Sequence, residues 1–448
     1  MFNKKINLLS GGIYKPLILF ALPIFLSNVF QQLYSTVDMV VVGYFLGEKA
    51  LAAIGASAVI FEMLIGFAMG VGGGFGIVAA RSYGAGDETL LKRTVAGSIV
   101  LGGLLVVFIS VAGSLFMKPL LNLLNTPVDI IDEAYSYISV LIIFAIVLFI
   151  YNLCAGLLRA VGNSLTPLLF LIFSSVLNIG LDLLFIIVFN MSVRGIAFAT
   201  VAAQGVSAVL CIVYIFRKCP NLVPNREHFR YDGALYKDLA SQGFSMGFMM
   251  SIVTLGSVVL QRAINGLGYL VIAGHVAARR INSFFLMPIV AITFAISTFV
   301  SQNKGANQLQ RIQKVVRYGN LTSMAWGVSA SIILFFTSAS LVSLLSGSNE
   351  NIIIENGGRY LMINAPFYMV LGMLLNFRFA LQGIGKKIIP VVSSIVEFSG
   401  KVLFAFLFVP MLGYFAVIIC EPFIWCIMLI YLIFSFYTNP YIRGKTND

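Results

Sequence analysis

The chain has 448 residues, of which 59% are hydrophobic and only 10% charged, and its formal net charge is +12. About a quarter of a soluble protein's residues are charged. These charges are too few to cover a soluble surface, and a mean hydropathy of +0.97 points to lipid as the solvent. Excess positive charge in a soluble chain would suggest nucleic acid. Here the bases sit in short gaps between apolar runs and no basic patch carries interleaved aromatics, so no nucleic-acid partner is expected.

A membrane helix needs about 20 apolar residues. In chain order such runs lie near 16–45, 51–79, 95–117, 134–157, 166–189, 195–216, 238–261, 267–299, 318–345, 360–381, 388–409 and 412–437. Twelve spans predict an all-α integral membrane protein. The opening MFNKKINLLSGGIYKP reads as a tail leading into the first span, because the apolar stretch after it is too long for a cleavable signal and lacks an A-x-A site. The first, second and eighth runs are long enough to tilt or kink. Pro23 and Pro288 are the candidate kinks, and Pro23 is the candidate hinge.

Of the 29 Lys and Arg residues, 21 fall in gaps on the side of the N-terminus (Lys4, Arg81, Arg226, Arg311 and Arg378 among them), five in the opposite gaps, and three inside spans. Such a bias places both termini in the cytoplasm and accounts for most of the net charge. The longest polar stretch, RKCPNLVPNREHFRYDGALYKD (217–238), lies at the midpoint. It predicts an N-lobe over 1–216, a cytoplasmic linker over 217–237 and a C-lobe over 238–448.

The two halves resemble each other. AARSYGAGD (79–87) and VSQNKGANQ (300–308) align at their Gly-Ala pairs, Gly84 and Gly305, 221 residues apart. LLRAVGNSLTP (157–167) and ALQGIGKKIIP (380–390) align at Pro167 and Pro390, 223 apart. A spacing held this closely indicates an internal repeat. Six spans per half is an even number, so the repeat is parallel. Two six-helix lobes so related are expected to face each other across a V-shaped central cleft.

Other chemistry is poorly represented. The five cysteines form no CxxC pair, and two histidines are too few for a usual His-based metal site. No nucleotide-binding GxxxxGK[ST] occurs. GFSMG (243–247) fits G-x-S-x-G, but it opens a membrane run and no histidine is near, so an enzyme is not expected. The glycines of GFAMGVGGGFG (66–76) read as close helix packing.

The informative residues are charges inside spans, which are costly there and functional by default. In the first half these are Asp38, Glu62 and Asp182. Asp38 is ten residues before Glu48, hence about 15 Å from the outer end of its span, and Asp182 lies at a similar depth. Asn178 is one turn from Asp182 on the same face. Tyr137 and Thr200 lie about 8–9 Å deep in the fourth and sixth spans. Two close carboxylates rarely ionise together, so this level of the N-lobe is a candidate proton site. The second half carries Arg279, Arg280, Glu397, Lys401 and Glu421. Glu397 and Lys401 are spaced to pair on one helix face. Whether this set is structural or faces a substrate stays open, as does a packing or cleft role for Glu62.

With LPIFLSNVFQQLYSTVDMVVVGYFLGEKALAAIGAS (22–57), GAGD after the second span, RAVGNSLTP (159–167) and NIGLD (178–182), the chain resembles the MATE (multidrug and toxic compound extrusion) family over its full length, and within it the DinF-like branch. The resemblance implies a secondary antiporter of a bacterial inner (plasma) membrane, monomeric in the bilayer, exporting organic cations and amphiphiles by alternating access. It implies a cation-coupling network of Asp38, Tyr137, Asn178, Asp182 and Thr200. The coupling ion is expected to be H⁺ rather than Na⁺; Na⁺, if used, would sit at Asp38, Asn178, Asp182 and Thr200. No cofactor or other metal is expected. Spans seven and ten lack the acids of sodium-coupled relatives of the NorM type, so coupling is expected in the N-lobe. The alternative function is a flippase for a lipid-linked oligosaccharide or other lipid, kept open by the Arg279–Arg280 pair. The predicted topology is checked by fusing a cytoplasm-dependent fluorescent reporter, and separately a phosphatase active only outside, to the C-terminus. Fluorescence without phosphatase activity is the expected outcome.

Overall fold

The computed structural model describes residues 5–123 and 126–445, side chains of Val59 and Leu123 excepted; Lys4, counted above among the inner bases, lies outside them. The described residues form no strand. In the first half the helices are α1 (Tyr14–Phe45), α2 (Glu48–Gly84), α3 (Glu88–Leu123), α4 (Val128–Ile143), α5 (Ala145–Ala160), α6 (Leu165–Leu183) and α7 (Val193–Lys218). In the second they are α8 (Gly233–Asn265), α9 (Tyr269–Gly305), α10 (Leu309–Ser346), α11 (Asn351–Asn364), α12 (Tyr368–Gly383), α13 (Ile388–Leu403), α14 (Val409–Leu412) and α15 (Tyr414–Tyr437). Among the described residues eleven stretches are long and apolar enough to cross a membrane, or twelve when the bent pair α4–α5 is taken as one span.

The helical fold follows from the solvent. A bilayer core offers no water to backbone N–H and C=O groups, so each segment must satisfy its own. Side chains then sort by lipid contact. On α3, Leu104, Phe108, Val111 and Leu115 recur at helical spacing and are all more than half exposed, an apolar stripe suited to acyl chains.

The sharpest break in a span is not at a proline. α1 and α9 run as unbroken helices through Pro23 and Pro288, whereas α4 and α5 meet at Phe144 with a bend of 49°. Phe144 sits at φ −95°, ψ 18°. The Ser110 hydroxyl of α3 donates to the Ile142 carbonyl at 2.8 Å, supplying a partner beside the bend. A second interruption does involve proline: a 3₁₀ turn, Ala365–Phe367, joins α11 to α12.

By its contacts the chain divides into two compact units. One comprises Met1–Asn7 and Leu26–Ser251, the other Leu8–Phe25 and Ile252–Asp448. This division falls inside α1 and α8 rather than in the polar midpoint. Residues 217–237 are not a bare tether. Cys219, Leu222 and Leu235 are buried in the core of the first unit, and Arg81 pairs with Asp238 at 3.0 Å. In the second unit Arg311 donates to the carbonyls of Leu8 (3.0 Å) and Gly11 (2.7 Å), and Asn303 donates to Leu8 O at 3.1 Å. Residues 8–11, just before the first span, are therefore docked.

The repeat is written into the backbone. Helix starts recur at Glu48 and Tyr269 (221 apart), Val128 and Asn351 (223), Leu165 and Ile388 (223), and Val193 and Tyr414 (221). Left-handed residues recur too: Gly47 with Gly268, Gly86 with Asn307, Gly162 with Gly385, and Asn190 with Gly413. Each unit also carries one π-helical turn in its fifth span, Leu184–Val188 and Phe404–Phe408.

GFSMG finds its explanation in packing. A Cβ on Gly70 would lie 2.8 Å from Gly247 Cα, and one on Gly74 would lie 2.6 Å from Gln242 O and 2.7 Å from Gly243 Cα. Two small-xxx-small ridges, Gly70/Gly74 on α2 and Gly243/Gly247 on α8, interlock within the first unit. The substitution Gly74→Leu is expected to cost about 1–3 kcal/mol through overpacking. Gly103→Ala, where a Cβ meets nothing within 4 Å, is expected to be neutral or slightly stabilising. Thermal unfolding of the detergent-solubilised variants checks both.

Candidate functional site

Helix α1 brings Tyr34 and Asp38 to one face at a one-turn spacing, and α6 does the same for Ser174, Asn178 and Asp182. Asp38 and Asp182 are direct neighbours. Tyr137 of α4 stands within the field of both acids. Its ring packs on an apolar cluster of Val41, Val42, Ile186, Val193 and Ile196, edged by Val37 and Leu183, which holds α1, α4, α6 and α7 together at the level of the acids.

Asp182 is fully buried, Asn178 is 2% exposed and Asp38 is partly buried. Six buried polar atoms in this small volume have no hydrogen-bond partner: Asp38 Oδ1, both side-chain atoms of Asn178, both oxygens of Asp182, and Gln204 Oε1. Buried polar groups are nearly always paired, and exceptions call for an explanation. No Lys or Arg pairs with either acid among the described residues.

Beside the acids, Tyr34, Ser174, Ser175, Asn178, Thr200 and Gln204 line a cavity of about 10 Å³, close to the least that one water-sized body needs. Its serine and threonine hydroxyls are committed as donors. Thr200 Oγ1 donates to Ile196 O at 3.0 Å, and Ser174 and Ser175 donate to Leu171 O at 3.0 and 2.8 Å. They present lone pairs, so with the two carboxylates the set is rich in acceptors and suits a proton donor or a small cation.

All five sequence-predicted residues of the N-lobe network thus lie in one region. Asp38, Asp182 and Tyr137 form one part, and Asn178 and Thr200 face the adjoining cavity. Sequence reasoning missed Tyr34, Ser174, Ser175 and Gln204. Each is three or four residues from a predicted member on the same helix, and that spacing was the available signal. Glu62 is elsewhere, exposed on α2 with no polar partner among the described residues.

The second unit holds a chain of alternating charges. Arg378 Nη2 reaches Glu397 Oε2 at 3.4 Å, and Lys401 bridges Glu397 (3.1 Å) and Glu421 (3.7 Å). Arg279 Nη1 meets both oxygens of Glu421 at 3.0 and 3.1 Å, and Tyr360 donates to Glu421 Oε2 at 3.1 Å. Arg280, its sequence neighbour, is exposed and forms none of these contacts. Arg378 corrects the reading of it as an inner-gap base: α12 extends to Gly383, so this residue is 3% exposed inside the unit, its Nε bonded to Ser393 at 2.8 Å.

A polytopic helical membrane protein, built from two repeats and carrying an intramembrane carboxylate pair in the first, is the class that fold and site define. The MatE family model matches twice, over residues 23–184 and 246–407. The chain belongs to the MATE family, whose members are transporters and not enzymes. It is 30% identical to probable multidrug resistance protein YoeA of Bacillus subtilis over 87% of this chain and 85% of that protein. It is 27% identical to probable multidrug resistance protein YpnP of the same organism over 85% and 84%. Its fold matches a crystal structure of MATE in the bent conformation with a TM-score of 0.91, covering 99% of both chains at 21% identity.

Removing Glu397 leaves Arg378 and Lys401 short of counter-charge. Glu397→Gln is expected to destabilise the protein by about 3 kcal/mol, and Arg378→Met added to it is expected to restore part of the loss. The order of melting temperatures, wild type above double variant above single variant, is the readout.

Proposed function

We propose that this chain is a multidrug efflux transporter of a bacterial plasma membrane, exporting organic cations and amphiphilic drugs by proton antiport through alternating access, with both termini cytoplasmic. One observation carries the reading: two neighbouring carboxylates, Asp182 buried and Asp38 partly so, with no basic partner among the described residues and with unpaired polar atoms of Asn178 and Gln204 beside them. The names of its relatives, probable multidrug resistance proteins, support drugs as the cargo and do not favour the flippase alternative.

The chain's own residues can do the following. A proton arriving from outside is shared between Asp38 and Asp182, giving one of them the hydrogen that two carboxylates lack and drawing α1 and α6 together. Tyr137, Tyr34 and Asn178 offer hydrogen-bond partners to either protonation state. Pro23 on α1 is the candidate hinge that turns this local pairing into bending of the helix, with release of cargo outward. H⁺ is favoured over Na⁺ because two neighbouring carboxylates with no base beside them among the described residues compete for one proton. The energy suffices. One charge crossing 100 mV yields about 2.3 kcal/mol and a tenfold proton gradient adds about 1.4 kcal/mol, together enough for several hundredfold export of an uncharged drug per proton; for a monovalent cation the voltage term cancels, and one proton supports about tenfold.

The test is transport of a fluorescent organic cation by the full chain in liposomes, driven by a pH gradient and separately by a sodium gradient. Wild type is expected to respond to the pH gradient, and Asp38→Asn and Asp182→Asn to lose at least about 90% of that rate while retaining their melting temperatures, the scale of a lost 1.4 kcal/mol or more. Transport by both variants at wild-type rates would make the acids structural. Response to sodium alone would reassign the ion.

A further inference from the structure

Aligning the two repeats by their helix starts sets the charge chain of the second unit on the positions of the acid site in the first. Val128 and Asn351 make Tyr137 and Tyr360 equivalent, each nine residues into its helix. Leu165 and Ile388 make Ser174 equivalent to Glu397 and Asn178 to Lys401. Val193 and Tyr414 make Thr200 equivalent to Glu421. At these matched positions the first unit carries Tyr137, Ser174, Asn178 and Thr200 beside its two carboxylates, where the second carries Tyr360, Glu397, Lys401 and Glu421, joined to Arg378 and Arg279.

The second set leaves one positive charge uncompensated. Arg378, Lys401 and Arg279 are balanced only by Glu397 and Glu421. Arg378 and Lys401 are sealed at 4% and 3% side-chain exposure, but Arg279 at the end of the chain is 41% exposed. Its guanidinium opens on a cavity of about 60 Å³, also lined by Ser257, Gln261, His275, Tyr360 and Glu421 and lying wholly within the second unit. Arg279 spends only Nη1 on Glu421 and Tyr360. A guanidinium has five N–H donors in a planar fork and binds carboxylate or phosphate bidentately. Arg279 is ten residues in from Tyr269, about 15 Å along the helix. A net charge held at that depth is costly unless something answers it.

The geometry points to an anion-binding site in this cavity, where the outer edge of Arg279, with the second amide N–H of Gln261, receives a single oxyanion group, a carboxylate or a phosphate, either free or borne by the transported molecule. The site extends cargo recognition to molecules bearing an acidic group, while the coupling acids stay in the other unit. It does not depend on the proton reading, because binding is measured without a gradient.

The experiment is equilibrium binding of radiolabelled benzoate, and separately of phosphate, to the full chain in nanodiscs of uncharged lipid. Wild type is expected to bind one of them saturably. Binding of phosphate alone assigns a free oxyanion, and binding of benzoate assigns a group carried on an organic molecule. Arg279→Gln is expected to weaken binding about tenfold or more, the scale of one lost charge-assisted contact, with Arg279→Lys intermediate. Because Arg279→Gln removes the nearest counter-charge of Glu421, Gln261→Glu serves as the second variant. It tethers an anion in the cavity wall, leaves every ion pair in place, and is expected to abolish binding with little change in melting temperature. No saturable binding of either probe to wild type, or equal binding by Gln261→Glu, overturns the proposal.

Discussion

Everything in this molecule depends on the absence of water from the bilayer core. Without it a backbone can cross only as helix, and a polar side chain must find its partner inside the protein or present it to a ligand. The fold meets the first demand throughout, even at the Phe144 bend, where Ser110 donates to a carbonyl beside the break. The second demand sorts the intramembrane charges into two kinds. Those of the second unit, Arg280 apart, are joined contact by contact from Arg378 to Arg279. Those of the first, Asp38 and Asp182, are close to each other and to nothing basic. Two acids at short range compete for one proton, so their unsatisfied state is itself the property a coupling site needs.

Duplication explains how one chain holds both kinds. The repeat kept the backbone rules that the fold requires: the left-handed residues at helix junctions, the interrupted fourth span and the π turn in the fifth span of each unit. Those features answer to hydrogen bonding and helix geometry, which are the same in both halves. Side chains at the inner register were freer to diverge, provided each set remained satisfiable. Ser174 and Asn178 against Glu397 and Lys401 show that divergence at matched positions. Tyr137 and Tyr360 show what was kept: in each unit a phenol stands beside carboxylate.

Much of this was legible in the sequence because charge in an apolar run is rare. Asp38, Asp182, Glu397 and Lys401 stood out for that reason, and the repeat stood out because Gly and Pro mark turns that every copy needs. What escaped had weaker signals. Tyr34, Ser174, Ser175 and Gln204 are residue types found in any membrane helix, and only their one-turn spacing from Asp38, Asn178 or Thr200 distinguishes them. Arg378 was misplaced because it stands three residues from the end of its apolar run, at 381, and its charge was counted with the gap beyond, whereas α12 continues to Gly383 and keeps it inside the unit. The strongest bend was invisible because Phe144 is not a helix breaker by type. GFSMG misled in another way: a pattern defined on a strand–turn–helix matched glycines that serve helix crossing.

The π turns bear on why the acid site lies where it does. A π turn inserts an extra residue per turn, rotates the side chains beyond it and loosens the backbone ladder, and such turns recur at functional sites. In the first unit the turn begins at Leu184, two residues after Asp182, so the helix that carries the acid is least regular next to it. Asn178, on the regular side, keeps its register with the cavity whatever happens beyond Asp182. A small change in the pairing of Asp38 with Asp182 therefore acts on a helix already uneven at that point. In the second unit the turn begins at Phe404, three residues after Lys401, but there Lys401 is held by Glu397, Glu421 and Ser257 together. The same irregularity sits beside a free acid in one half and a clamped base in the other, which makes the first half the one suited to respond to a proton.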